Sequence, residues 1–278
     1  MFMEKKEIIK EEQERLDYVI DLINKKLIHA RKMFKEHENF RIGFKEGQRG
    51  TQFIRQGLMS LYATEEYDLE RMLSSPYFGR MDFNQYGSNE VVPIYIGKKA
   101  LTDEDGKLIT YDWRTPICNM YYDYPLGYAE YYNGSETIKG EIQRKRQPII
   151  ENSKLMDVLE QDTLTDDKIL LRYLSENADS RLKSIVATIQ KEQNQIIRSP
   201  LKANYLIQGV AGSGKTTVAL HRIAYLIYNE AKNIRESEFM ILGPNSYFLN
   251  YISELLPDLD IRNVAQNTFE EIAMNSIG

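Results

Sequence analysis

The sequence holds a single cysteine, Cys118, among 278 residues. No disulfide can close within the chain and no thiolate metal site can be assembled from it. Cys118 reads as a small, partly buried apolar residue. Histidine is almost as scarce: His29, His37 and His221 lack the spacing of a metal-binding pair with supporting carboxylates, so metalloenzyme chemistry is not indicated. No apolar run approaches the roughly 18 residues that suggest a membrane span. The stretch Met1 to Lys10 is charged within a few residues and carries neither the apolar run nor the cleavage site of a secretory signal. The expected location is the cytoplasm. With 41 acidic and 36 basic residues and a formal charge of -5, the chain is not one that coats nucleic acid indiscriminately, although a local basic stripe is compatible with that total.

What the sequence does have is a change of texture along its length. At 278 residues it exceeds one average domain, and an α/β multi-domain chain is expected. From Lys5 to His37, Ile9, Leu16, Ile20, Ile23, Leu27, Ala30 and Phe34 recur at steps of three and four, with a polar interruption at Gln13, the seam of an amphipathic helix suited to a coiled coil. Arg41 to Thr51 holds Gly43, Gly47 and Gly50 and reads as a turn. Ile54, Leu58, Leu61, Leu69 and Met72 then mark a second helix, so residues 1–74 are expected to form an antiparallel hairpin. It either projects as an arm or packs onto the body of the protein.

After Ser75-Pro76, residues 75–164 read as a small antiparallel β module. Its runs are Val91 to Ile96, Leu108 to Trp113, Asn119 to Tyr122, Gly127 to Tyr132 and Ile138 to Ile150, with Asp105-Gly106 as a hairpin turn between the first two. The tyrosines 121, 122, 124, 128, 131 and 132 and the basic run Arg144-Lys145-Arg146 admit base stacking. The plainer reading is a packed sheet with a solvated basic strand edge. Residues 165–278 return to helix from Asp166 to Arg198, then alternate: Tyr205 to Gln208 as strand, Lys215 to Tyr228 as helix, Phe239 to Leu242 as strand and Tyr247 to Leu256 as helix. That order predicts a partial RecA-like parallel sheet with crossover helices.

One motif carries chemistry. Gly209-Val210-Ala211-Gly212-Ser213-Gly214-Lys215-Thr216 fits G-x-x-x-x-G-K-[ST] at every fixed position, between an apolar run and a helix-forming one. Glycines 209, 212 and 214 leave room for a phosphate and allow backbone N–H groups to turn inward. The following helix directs its N-terminus at the same phosphates. Lys215 reaches the β and γ phosphates, and Thr216 offers a hydroxyl to Mg²⁺; these two are the candidate catalytic residues. The expected ligand is a nucleoside triphosphate.

Hydrolysis also needs a carboxylate at the end of a neighbouring strand to hold Mg²⁺ and position water. Leu255-Leu256-Pro257-Asp258-Leu259-Asp260 is broken by proline and follows a helix, and Asp103-Glu104-Asp105 lies in a turn. The chain is expected to be incomplete as a catalyst and to be the front part of a longer protein.

At these residues the sequence resembles the superfamily one helicases of the UvrD, Rep and PcrA type. Ala211 to Thr216, followed by His221-Arg222-Ile223-Ala224-Tyr225-Leu226, is similar to that family's first motif and its helix. Gln190-Lys191-Glu192-Gln193 is similar to its adenine-recognising glutamine motif. The resemblance implies ATP as ligand, since the amide of Gln193 pairs with both a donor and an acceptor on adenine. The implied nucleotide-binding set is Gln193, Gly209, Ala211, Gly212, Ser213, Gly214, Lys215, Thr216 and Thr217, with Mg²⁺ at Thr216. Ser75-Pro76-Tyr77-Phe78-Gly79-Arg80, Tyr95-Ile96-Gly97, Tyr111 to Ile117, Lys145-Arg146-Gln147 and Ile189 to Asn194 narrow the likeness to the HelD branch over nearly the whole chain. That resemblance implies a monomeric bacterial ATPase which binds RNA polymerase and helps to release it from nucleic acid, with the helical arm entering the polymerase secondary channel.

The sequence departs from the helicase pattern at Thr217, where those enzymes commonly carry arginine, and at Gly243-Pro244-Asn245-Ser246, a poor match to their DNA-contacting motif. A conventional superfamily one DNA helicase and a nucleotide-responsive module without turnover stand as alternatives to the polymerase-recycling reading.

Overall fold

The computed structural model describes residues 5–39, 49–160, 189–202, 204–210 and 212–277. The chain divides into two units: the first runs to Trp113 and resumes at Tyr124, while Arg114–Asp123 belongs with the C-terminal residues in the second. The fold is α/β and multi-domain.

In the first unit the two expected helices form as α1 (Lys5–Asn39) and α2 (Arg49–Ser74). The turn read at residues 41–51 lies for the most part outside the described residues; α2 already includes its end. The helices run antiparallel. Arg55 on early α2 donates to the carbonyl of His37 on late α1 at 2.6 Å, while Arg31 bridges Glu66 and Glu70 at 2.6 and 2.5 Å. On α1 the buried positions are Ile8, Glu12, Leu16, Val19, Leu22, Ile23, Leu27 and Ala30, a stripe spaced by fours and threes with Leu22 beside Ile23. The expected seam is therefore right in period but its polar break is Glu12 rather than Gln13, and Ile9 faces solvent. The cause lies in the sheet, where two arginines meet that carboxylate.

The strands are β1 (Gly79–Gln85), β2 (Val91–Gly97), β3 (Leu101–Thr102), β4 (Leu108–Asp112), β5 (Gly127–Tyr132), β6 (Thr137–Glu151) and β7 (Lys154–Glu160). They form one sheet in the order β3-β4-β2-β1-β6-β5, with β7 also on β6. The pairing is antiparallel except between β2 and β4, which run parallel through Ile96 opposite Tyr111. Asp105-Gly106 does make the expected turn, with Gly106 at φ 79°. It joins β3 to β4 instead of β2 to β4, because the two-residue β3 was too short to register as a strand. Leu16, Val19, Ile23 and Leu27 of α1 share one core with Leu69 and Met72 of α2 and with Tyr77, Tyr95, Ile109 and Ile150 of the sheet module.

Two further expectations are corrected here. Asn119 to Tyr122 is not a strand but lies in α3 (Pro116–Asp123). Proline at the first helical position is preorganised for helix, and a four-residue run carries no period of its own. The basic run is not a solvated edge either: Arg146 is wholly buried and Lys145 nearly so, because β6 pairs with β1 on one edge and with β5 and then β7 along the other.

The second unit contains α3, α4 (Lys191–Ile197), α5 (Lys215–Asn229), β8 (Met240–Gly243), α6 (Ser246–Leu255), β9 (Ala265–Thr268) and α7 (Phe269–Ile277). Most of the helical stretch read from Asp166 lies outside the described residues; its end is α4. Strands β8 and β9 pair in parallel across the α6 crossover, as the alternating order requires. Asn245 caps α6 by accepting from Phe248 N at 2.9 Å. Leu220 and Ala224 of α5, Ile252 of α6, Leu256, Ile261 and Val264 form the core. The expected strand from Tyr205 to Gln208 is not formed. The segment has no ladder partner among the described residues and Leu206 is 91% exposed; β8 pairs with β9, and an isolated apolar run has nothing to make it a strand.

Candidate functional site

The glycine-rich segment turns directly into α5. Gly212 and Gly214 both have left-handed backbones, φ 80° and 79°, a conformation that costs other residues about 1–2 kcal/mol. Gly214 is the N-cap of α5, so no side chain covers the first turn, where the N–H groups of Lys215, Thr216 and Thr217 have no partner within the helix. Gly209 is required for a different reason: a Cβ there would stand 2.5 Å from Ser213 Oγ. A side chain at Gly212 would project into open space, the space a ligand needs. Lys215 Nζ donates to the carbonyls of Gly209 and Val210 at 2.9 and 2.7 Å, which places its ammonium over the start of the loop. Thr216 is exposed and Thr217 half-buried. Ala211 lies outside the described residues.

The donor set is thus a row of backbone amides, one ammonium and one hydroxyl, all suited to an anion with several oxygens. It does not hold a metal unaided. Among the described residues no three carboxylate, histidine or cysteine side chains gather into a metal site, so Mg²⁺ at Thr216 would have to arrive with phosphate oxygens. Strand β8 ends in Leu242-Gly243, with no carboxylate at its tip.

Gln193 comes to the same place from the N-terminal side of the unit. Its Nε2 lies 3.6 Å from the position a Cβ on Gly214 would take, and its Oε1 accepts from Gln190 N at 3.1 Å. The loop and the glutamine, 21 positions apart at Gly214, are therefore neighbours in the fold.

What holds them there was not read from the sequence. Arg222 of α5 reaches back to the end of α4: its guanidinium donates to Ile196 O at 3.0 Å, Ser199 O at 2.6 Å and Pro200 O at 2.9 Å. It also lies over the ring of Tyr205 at 4.5 Å. Burial pulls its pKa below the ordinary arginine range, yet an arginine there stays charged at any physiological pH. On the other side of α4, Asn194 Nδ2 donates to Asn119 Oδ1 and Asp123 Oδ1 of α3, at 2.7 and 2.8 Å. Arg198 Nε donates to Asn194 Oδ1 at 2.9 Å and the same guanidinium lies 5.1 Å from the Tyr225 ring centre on α5. Asn229 of α5 donates to Arg114 O at 3.3 Å, and Arg114 pairs with Asp260 at 3.2 Å. Arg114, Asn194, Arg222 and Tyr225 lay inside the quoted motifs; Asp123, Arg198 and Asn229 carried no such signal. His221, buried on α5, donates from Nδ1 to Thr217 O at 2.8 Å.

The tyrosines divide between the units. Tyr121 and Tyr122 sit on α3 in the second unit, whereas Tyr124, Tyr128, Tyr131 and Tyr132 belong to the first. Lys145 donates to Tyr124 O. None of the helices among the described residues is long and apolar enough to cross a membrane.

A family model described as UvrD/REP helicase N-terminal domain matches residues 189–243, the stretch from α4 through the loop to β8. A second, described as DNA helicase IV HelD, N-terminal domain, matches residues 9–197, more than half of the chain. No curated protein matches it. The two matches meet at α4, where Gln193 stands beside the glycine loop, and the chain is a relative of the UvrD-type helicases that belongs to the HelD N-terminal domain family.

Proposed function

We propose that this chain is the ATP-binding part of a HelD-like, helicase-related factor that binds RNA polymerase and promotes its release from nucleic acid. The observation that carries the nucleotide half of this reading is the juxtaposition at α5. A left-handed Gly214 opens the helix N-terminus, Lys215 lies over the loop, and Gln193 Nε2 flanks the same glycine. In this reading Gly209, Ala211, Gly212, Ser213 and Gly214 wrap the phosphates, Lys215 neutralises the β and γ groups, Thr216 and Thr217 complete the helix end, and Gln193 reads the adenine. ATP bound with Mg²⁺ at Thr216 supplies a cleavable phosphoanhydride, and this chain's own residues bind and orient it.

Turnover is a separate matter. With Gly243 and Thr268 at the ends of β8 and β9, neither of these strands carries a carboxylate among the described residues to hold Mg²⁺ and water. We expect residues 1–278 alone to bind ATP with negligible hydrolysis. Lys215-dependent phosphate release by the purified chain would refute that.

The polymerase half rests on family membership and on the two-helix hairpin of α1 and α2, which the reading assigns to the secondary channel. Residues 1–74, 75–164 and 165–278 then act as arm, β module and partial RecA-like ATPase domain of a cytoplasmic monomer. Retention of RNA polymerase from a bacterial extract by the chain, and its loss on deletion of residues 1–74, tests this reading. The matched UvrD/REP segment keeps a conventional superfamily one DNA helicase as the second reading. It requires steeply salt-dependent binding to single-stranded DNA, with no retention of polymerase.

A further inference from the structure

Residues Arg114–Asp123 leave the chain of the β module, fold into the nucleotide-binding unit as α3, and return at Tyr124. There α3 meets α4 through one fully enclosed side chain. Asn194 is 1% exposed, and its amide nitrogen finds two acceptors while its oxygen accepts from Arg198. Asn119 Nδ2 in turn donates to Asp123 Oδ2 at 2.8 Å, so the acceptors are themselves oriented. A buried amide satisfied on both its oxygen and its nitrogen fixes the rotation of the helix that carries it, since any roll strands a polar group out of water. The next residue back on that helix is Gln193.

We propose that Asn194, held by Asn119 and Asp123 of α3, is a positioning residue that aims Gln193 and thereby sets the preference for an adenine over a guanine base. This rests on the nucleotide reading above and deepens it. Gln193 contributes selectivity only while its amide keeps a fixed distance from the loop. One end of α4 is tied to α5 by Arg222, and that tie sets how close α4 comes. The Asn194 bond to α3 sets which face α4 turns to the base. Phosphate binding depends on the loop and Lys215, and needs neither.

Titration calorimetry of the whole 278-residue chain with magnesium ATP, magnesium GTP and inorganic tripolyphosphate reads the two contributions apart. Asn194→Asp replaces the donor by an acceptor opposite Asp123. The ATP-over-GTP ratio is expected to fall about tenfold, the scale of one buried hydrogen bond, with tripolyphosphate affinity unchanged. Adding Asp123→Asn reverses donor and acceptor and is expected to restore the ratio. Should Asn194→Asp fail to fold, Asn119→Ala removes one acceptor and is read in the same way.

A folded variant that keeps the wild-type ratio overturns the proposal, as does one that loses ATP and tripolyphosphate in parallel, the mark of a merely structural residue. Failure of the double variant to recover the ratio overturns it as well. A wild-type chain that binds ATP and tripolyphosphate but does not prefer ATP to GTP overturns the proposal and leaves the phosphate loop standing. Binding neither overturns both.

Discussion

Arg80 on β1 and Arg146 on β6 stand directly opposite each other across the sheet, two like charges side by side, and Glu12 of α1 accepts from both, at 2.9 and 3.3 Å. Opposed arginines would otherwise push the strands apart. Glu11 bonds the same pair at 2.6 and 2.7 Å, and Asp82 and Glu160 close the group. Burial works against the charge on Arg80 but is outweighed by Asp82, with Glu11 adding to it, so its pKa rises. Burial and the Glu12 charge together push the Tyr95 hydroxyl up to about 12. The helix is thus docked on the sheet by charge as well as by Leu16 and Val19.

Glu12→Ala leaves two buried guanidinium groups short of a counter-charge. Breaking one side of a buried ion pair costs about 3–5 kcal/mol, and urea denaturation is expected to show a loss of that order. A midpoint close to the wild-type value would mean that water or Glu11 replaces the carboxylate, and that the docking is apolar.

The same group gives the first unit an acid limit. Burial alone would raise the pKa of Glu11, but the hydrogen bonds from Arg146 and Arg80 outweigh it and hold the carboxyl below the ordinary glutamate range. A depressed folded pKa means stability that is complete above the ordinary carboxylate range and is lost as pH falls through the folded value. Thermal melts of the wild type are therefore expected to hold level from neutrality down to about pH 5 and to drop below it. Glu11→Gln, lower at neutral pH, should show a shallower drop. Parallel curves would exclude Glu11 as the titrating group.

Lys215→Ala tests the phosphate loop. A lysine that donates only to the carbonyls of Gly209 and Val210 on an exposed loop does little for the core, so the unfolding free energy is expected to change by less than about 1 kcal/mol. A charged hydrogen bond to phosphate is worth about 1.5–3 kcal/mol, and ATP affinity should fall roughly tenfold to a hundredfold. Undiminished affinity in the folded variant would remove the lysine, and the loop with it, from the nucleotide reading.

The loop could be read as a candidate because its pattern is local: three glycines, a lysine and a hydroxyl at fixed spacing within eight positions. Helices α1, α2, α5 and α6 and strands β2, β4, β5 and β6 were legible for the same reason, since their periods run long enough to be counted. Gln193 became a candidate only through resemblance. What escaped was decided at a distance. Glu12 rather than Gln13 is the polar position on α1 because Arg80 and Arg146 lie under it, and nothing within α1 says so. Arg144-Lys145-Arg146 looked solvated because the run does not reveal that β6 has partners on both edges. Asn119 to Tyr122 was too short to show whether it was helix or strand, and its neighbours across the fold, Asn194 and Arg198, are over 70 positions away.

Arg222 supplies the last test, because its side chain makes most of the hydrogen bonds between the loop helix and the end of the glutamine helix. Its Nη1 also donates to Ser199 Oγ at 2.5 Å and to Ile197 O at 3.4 Å, so five acceptors at and just past the end of α4 share a single planar donor. Arg222→Ala takes a donor from the turn that follows a two-turn helix, where Ser199 O and Pro200 O accept from it while Ile196 O keeps Ser199, and the expected loss is about 2–3 kcal/mol. Lysine cannot replace it, since one ammonium does not span Ile196, Ser199 and Pro200 as a fork does. Hydrogen exchange is the direct measurement: the amides of Lys191–Ile197 should exchange faster in both variants, while those of α6 keep their wild-type rates. Unaltered protection of α4 in Arg222→Ala would show that the Asn194 contacts hold this helix without help from α5.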